Sequence, residues 1–142
     1  MKGEIKITNF EYCKQIARMA HFGQFRKFTT PEEPYIHHPL RVASKFTDEK
    51  LKCIAVLHDV LEDSNFTADM LSVLGVDSEI TKVVEILTHI KPVLYTDYIK
   101  TIKANPDAVQ VKIQDITDNM RTAPASMVEK RYLPALEYLR GE

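Results

Sequence analysis

Apolar residues along this chain come in short, spaced groups, and the longest uninterrupted stretches, such as Ile54-Ala55-Val56-Leu57, are only a few residues. No segment alternates apolar and polar positions for long enough to predict a strand. Helix start signals recur instead. Thr8-Asn9-Phe10-Glu11 and Ser126-Met127-Val128-Glu129 read as capping boxes, in which hydroxyl and carboxylate satisfy each other's free backbone donors. Asn105-Pro106 places an N-cap before a proline at the first helical position. Thr67 and Asp77 are further N-caps, and Gly75 sits where a helix end favours a left-handed residue. These signals predict helices at about 9–22, 36–46, 48–62, 67–74, 78–89, 94–104, 106–120 and 126–140. The stretch from Gly23 to Tyr35, with two prolines, two threonines and a glycine, predicts an ordered loop. With only four glycines in 142 residues and no repeat or low-complexity tract, the expectation is one all-α domain over 1–142 with about eight helices.

Composition narrows the function. A hydrophobic fraction of 44% and a charged fraction of 27% suit a globular domain with a real core. Apolar runs this short span no bilayer, and Met1-Lys2-Gly3-Glu4-Ile5-Lys6 has no apolar region to make a secretory signal. Cys13 and Cys53 lack metal or redox spacing and read as reduced, buried residues of a cytoplasmic protein. The net charge of −1, from 19 basic and 20 acidic side chains, argues against duplex nucleic acid as the main partner, because many phosphate contacts require a basic surplus. A small phosphorylated ligand needs only a few local cations.

Four groups carry candidate chemistry. In His58-Asp59-Val60-Leu61-Glu62-Asp63, four ionisable residues end a helix whose preceding turns are apolar. Glu62 lies one turn from His58 and Asp63 one turn from Asp59. Carboxylates at a helix C-terminus oppose the macrodipole, a local conflict of the kind that marks functional sites. Imidazole with carboxylate suits first-row divalent metals. The alternative is a solvated acidic helix end with His58 in the core. Asp115, Asp118 and Asn119 share a helix face, which is either a second part of a site or ordinary surface. His38, between His37 and Pro39, is biased by that proline away from helical geometry. Arg26 and Lys27 sit between Phe25 and Phe28, where arginine can stack on a planar base and lysine can neutralise phosphate. As an isolated pair they read more often as solvated surface than as a binding site.

The order of these groups resembles a known family. Ala20-His21-x-Gly23-Gln24-x-Arg26-Lys27, Pro34-Tyr35-Ile36-x-His38-Pro39-Leu40-x-Val42-Ala43, Leu57-His58-Asp59-Val60-x-Glu62-Asp63 and Val111-Lys112-Ile113-x-Asp115 with Asn119-Met120-Arg121-Thr122 are similar to the hydrolase domain of the RelA/SpoT family. The likeness runs over roughly residues 10–140. These proteins and their small stand-alone relatives are HD phosphohydrolases that remove the 3′-pyrophosphate of guanosine tetra- or pentaphosphate in the stringent response. The resemblance implies the orthogonal helical bundle of HD domains. It implies His38, His58, Asp59 and Asp115 as metal ligands, manganese as the ion, and Glu62 and Asp63 as the catalytic pair. Arg26, Lys27 and Asn119 fall on substrate-contacting positions, while His21 is structural and His37 incidental. The mechanism implied is metal-assisted attack of water on phosphorus. Two features depart from the pattern. Ile116 replaces a cation that normally follows the aspartate, implying less positive charge beside the phosphates, and the loop after Lys27 is longer, with acidic Glu32 and Glu33. Other readings are an HD phosphohydrolase acting on an adenosine counterpart or on reduced nicotinamide adenine dinucleotide phosphate, and a catalytically silent nucleotide-binding domain.

Overall fold

Cys53, Ile54, Ala55, Val56 and Leu57 are five consecutive residues with no solvent exposure, so the last turns of the helix that carries them are apolar on every side and occupy the centre. The computed structural model describes residues 8–141; the N-terminal segment read above for a secretory signal lies outside them. In chain order the elements are α1 (Phe10–Ala20), α2 (His37–Ala43), α3 (Glu49–Leu57), α4 (Val60–Asp63), α5 (Ala68–Val73), α6 (Ser78–Ile86), α7 (Tyr95–Lys103), α8 (Pro106–Asn119), α9 (Ala125–Met127) and α10 (Leu133–Arg140), with a π-helical turn over Val128–Tyr132. Central α3 packs on α1, α2, α6 and α8, and α8 also meets α2 and α7. Among the described residues there is no strand beyond one isolated bridge, between Phe25 and Pro34. No helix among them is long and apolar enough to cross a membrane.

All eight predicted helical stretches are present, with local revisions. The predicted 48–62 helix breaks between α3 and α4. The carbonyl of Ala55 takes the His58 ring Nδ1 at 2.6 Å and the His58 N–H at 3.4 Å, in place of the Asp59 N–H that an unbroken helix requires. Asp59, at φ −102° and ψ 0°, turns the chain, and the Asp63 N–H then bonds to its carbonyl at 2.9 Å, restarting the helix. His38 is helical, contrary to the bias expected from Pro39. It stands in the first turn of α2, where a proline removes only a donor with no intrahelical partner.

Neither capping box forms. Asn9, not Thr8, caps α1 by accepting the Tyr12 N–H at 3.1 Å, and Glu11 pairs with Lys14 instead. The last helical stretch starts at Ala125, so Ser126 lies inside it and makes no cap bond. Pro134 has no N–H to give the carbonyl four residues back, and the preceding turn widens to π geometry.

Asn105, Thr67 and Asp77 cap α8, α5 and α6 as expected. Gly75 (φ 89°) closes α5 by a Schellman arrangement, with Val76 N–H to the Leu71 carbonyl and Gly75 N–H to the Ser72 carbonyl, both at 3.0 Å. The loop between α1 and α2 is ordered by the Arg26 N–H to the Glu33 carbonyl (2.7 Å) and the Tyr35 N–H to the Gln24 carbonyl (2.8 Å). Cys13 and Cys53 are buried and free.

Candidate metal centre and substrate cleft

The break between α3 and α4 aims His58 and Asp59 at one point, and α2 and α8 bring His38 and Asp115 to the same point. One donor atom from each of the four lies within 4.8 Å of all the others. His38 Nε2 is 2.8 Å from Asp115 Oδ1 and 3.5 Å from Asp59 Oδ2, while His58 Nε2 is 3.2 Å and 3.0 Å from the same two oxygens. Donors about 2.1 Å from a shared divalent ion, at angles between octahedral and tetrahedral, stand roughly 3.0–3.4 Å apart. The observed spacings of 2.8–3.5 Å bracket that range.

The second nitrogen of each ring fixes which atom faces inward. His38 Nδ1 meets the Asp118 carboxylate at 2.7 Å and His58 Nδ1 meets the Ala55 carbonyl at 2.6 Å. Both partners only accept, so each Nδ1 carries a hydrogen and each Nε2 turns its lone pair toward the Asp59 and Asp115 oxygens. Lone pairs facing carboxylate oxygens repel unless a cation lies among them. The donor set therefore fits a divalent metal, with two neutral imidazoles and two carboxylates as ligands.

Without an ion the same carboxylates draw a proton to the cluster, which a bound metal would displace. Burial works against the charged form of Asp115, yet Lys112 and His58 outweigh it and hold the carboxyl well below its usual range. Burial likewise opposes charge on Asp59, and His58 reverses it. For His58, burial favours the neutral ring, but the two carboxylates prevail and raise its pKa. Lys112, one turn before Asp115 and buried, donates to Asp115 Oδ2 at 2.8 Å.

Glu62 and Asp63 stand at the rim. Glu62 Oε1 accepts the His89 N–H at 2.8 Å. The Tyr35 hydroxyl donates to Asp59 Oδ2 (2.6 Å) and to Asp63 Oδ2 (3.0 Å), tying the rim to the donor cluster. Burial raises the carboxyl pKa of both, and the negative Asp59 adds to the shift. Above them opens a cleft of about 550 Å³ lined by Arg26, Lys27, Tyr35, Glu62, Asp63 and Asn119 among others. Arg26 Nη2 donates to Asn119 Oδ1 at 2.9 Å, Asn119 Nδ2 reaches Asp115 Oδ1 at 3.3 Å, and the Arg26 guanidinium sits 5.6 Å from the Tyr35 ring centre.

Sequence reasoning thus named residues that the fold brings together, with His21 and His37 apart from the donor group. His21 is buried with Nδ1 2.9 Å from Gln24 Oε1, and His37 is exposed. The reading of Ile116 needs correction. Its side chain is fully buried in the core, so its exchange for a cation does not set the charge beside the cleft, where Lys112 stands instead. Sequence reasoning put Asp118 in a candidate patch without its role behind His38, and it missed two supports: Lys112, and Arg41, whose Nε holds Asp118 Oδ1 at 2.7 Å. A charged residue one helical turn from Asp115 was the available signal for Lys112.

Paired imidazoles and carboxylates at the broken helix of an all-helical bundle define an HD-type protein. No protein-family model matches the chain. It is 33% identical over 138 residues to the guanosine-3′,5′-bis(diphosphate) 3′-pyrophosphohydrolase of Haemophilus influenzae, which covers 87% of this chain and 20% of the relative. It is 32% identical to the bifunctional (p)ppGpp synthase/hydrolase SpoT of Escherichia coli, over 96% of this chain and 21% of that protein. The chain thus spans about a fifth of the length of these curated relatives. A solved structure of a metazoan SpoT ortholog, described as hydrolysing ppGpp, superimposes with a TM-score of 0.71 at 26% identity, covering 93% of this chain and 85% of the other. Over most of its length the chain is thus similar to one part of these SpoT-type proteins, and it shares the fold of the metazoan SpoT ortholog.

Proposed function

We propose that this chain hydrolyses the 3′-diphosphate of guanosine 3′,5′-bis(diphosphate), releasing pyrophosphate and leaving GDP, with manganese held by His38, His58, Asp59 and Asp115. The observation that carries the reading is the convergence of those four donors beneath a cleft whose walls present Arg26, Lys27 and Asn119. Its volume of about 550 Å³ falls in the range of small-ligand sites. A divalent ion there supplies Lewis-acid activation of water and stabilises charge on the phosphoryl group.

The chain's own residues do the rest. Glu62 and Asp63 divide the acid and base work. One takes a proton from the attacking water, and the other returns a proton to the 3′-oxygen as the P–O bond breaks. Burial raises both carboxyls toward the range where such exchange is efficient. Arg26 Nε is buried without a partner among the described residues, a donor ready for the nucleotide, and the guanidinium plane suits stacking on a base. Asn119 positions ribose or phosphate, and exposed Lys27 adds charge at the mouth.

The experiment is a competition with manganese present. Guanosine 3′,5′-bis(diphosphate), its adenosine counterpart and reduced nicotinamide adenine dinucleotide phosphate are supplied together at equal concentration, and pyrophosphate and phosphate are followed separately. Preferential release of pyrophosphate from the guanosine compound is the expected result. Faster loss of either competitor reassigns the substrate, and loss of none removes the catalytic reading.

A further inference from the structure

One buried hydroxyl beside the donor cluster bonds to no other group among the described residues. It belongs to Tyr95, the first residue of α7. Two neighbouring tyrosines are committed, Tyr35 to Asp59 and Asp63, and Tyr98 to the Leu87 carbonyl. Tyr95 lines a recess of about 140 Å³ with Asp59, Asp115, Lys112 and Arg131. That recess adjoins the main cleft, since Tyr35, Glu62, Asp63 and Asn119 line both. Cations flank the Tyr95 ring, with the Arg131 guanidinium 4.8 Å and the Lys112 ammonium 6.0 Å from its centre. Burial raises the phenol pKa above its ordinary 10.0, so it remains a donor at neutral pH.

A buried donor left unbonded is a cost in the free protein, and proteins satisfy nearly all such groups. Between two cations and next to a metal-binding cluster, the acceptor that completes it is an anionic oxygen. We propose that Tyr95 is a substrate-binding residue whose hydroxyl donates to a phosphoryl oxygen of the diphosphate, with Arg131 adding charge beside it. The inference rests on the phosphohydrolase reading above and adds a residue and a subsite to it.

The test is Tyr95→Phe in the full, manganese-loaded chain, which removes only the hydroxyl. In the expected result kcat/KM for guanosine 3′,5′-bis(diphosphate) falls about 10–100-fold, the loss of one hydrogen bond to a charged group. Metal content is unchanged, and the Tm without substrate holds or rises, by up to about 6 °C, because the unbonded donor is gone. A Tm several degrees lower shows that the hydroxyl has a structural partner and overturns the inference, as does unchanged kcat/KM. Calorimetric titration with inorganic pyrophosphate separates this inference from the substrate assignment. If wild type binds pyrophosphate about tenfold more tightly than the variant but consumes no guanosine nucleotide, the subsite stands and the substrate assignment falls. If both proteins bind pyrophosphate equally and turn over equally, the substrate assignment stands and the Tyr95 subsite falls. Absence of pyrophosphate binding to wild type removes the subsite.

Discussion

At the scale of single residues, the informative contrast is between groups that hold and groups that react. The inward nitrogens of His38 and His58 are fixed by what their outer nitrogens touch, a carboxylate in one case and a backbone carbonyl in the other. Glu62 differs, because one hydrogen bond from the His89 N–H holds its carboxylate while burial pushes its pKa above the ordinary 4.5. If Glu62 is the base of the proposed pair, it works only when deprotonated, so activity falls as pH drops through its pKa, and the upward shift places that acid limb above pH 4.5. Glu62→Gln keeps shape and hydrogen bonding but cannot titrate. Turnover falls at least ~100-fold, the lower end for general acid–base catalysis, with metal content retained. A pH–rate profile and elemental analysis of the variant check both halves. Full activity in Glu62→Gln moves the base role to Asp63.

At the scale of elements, α8 acts as a ruler. Its one-turn spacings set Lys112, Asp115 and Asn119 toward the site, while Ile116, one residue on from Asp115, points into the core. Asp118 reaches across to α2, binding His38 Nδ1 and two nitrogens of Arg41. Burial opposes charge on Asp118, but His38 and Arg41 prevail and lower its pKa. Asp118 therefore ties two helices together and orients a ring of the candidate donor group. In Asp118→Asn the shape is kept and the charge lost, so metal affinity falls about 10–100-fold, the usual effect of losing a ligand's outer partner. Competition against a chelator of known affinity measures it, and unchanged affinity means Asp118 serves packing alone. The break between α3 and α4 belongs to this scale too. A continuous helix over 48–62 would place Asp59 by helical spacing, and the bond from the His58 ring to the Ala55 carbonyl is what turns it toward its partners.

For the whole molecule, the candidate metal gathers α2, the α3–α4 junction and α8, segments far apart in sequence. An ion bound by the folded state alone stabilises it by about 2.7 kcal/mol at 100 times its Kd. Chelation followed by dialysis therefore lowers the Tm, and manganese restores it in proportion to the logarithm of its concentration. A Tm indifferent to manganese removes the metal centre. The helical class and the approximate helices were legible in the sequence because they rest on local physics: caps at Asn105, Thr67 and Asp77, the left-handed Gly75, and absent strand alternation. The candidate ligands were legible through the order of four short motifs. Helix ends were less so, because whether Thr8 or Asn9 caps α1 depends on a neighbour such as Glu49, which takes the Phe10 N–H from 39 positions away. Tertiary structure alone decided which charged groups serve the site. Lys112 and Tyr95 look like ordinary helix residues in the sequence, and the reach of Asp118 to His38 and the direction of Ile116 are invisible there. Burial and partner identity are set by what packs opposite, and a local pattern does not encode the residue 80 positions away that faces His38.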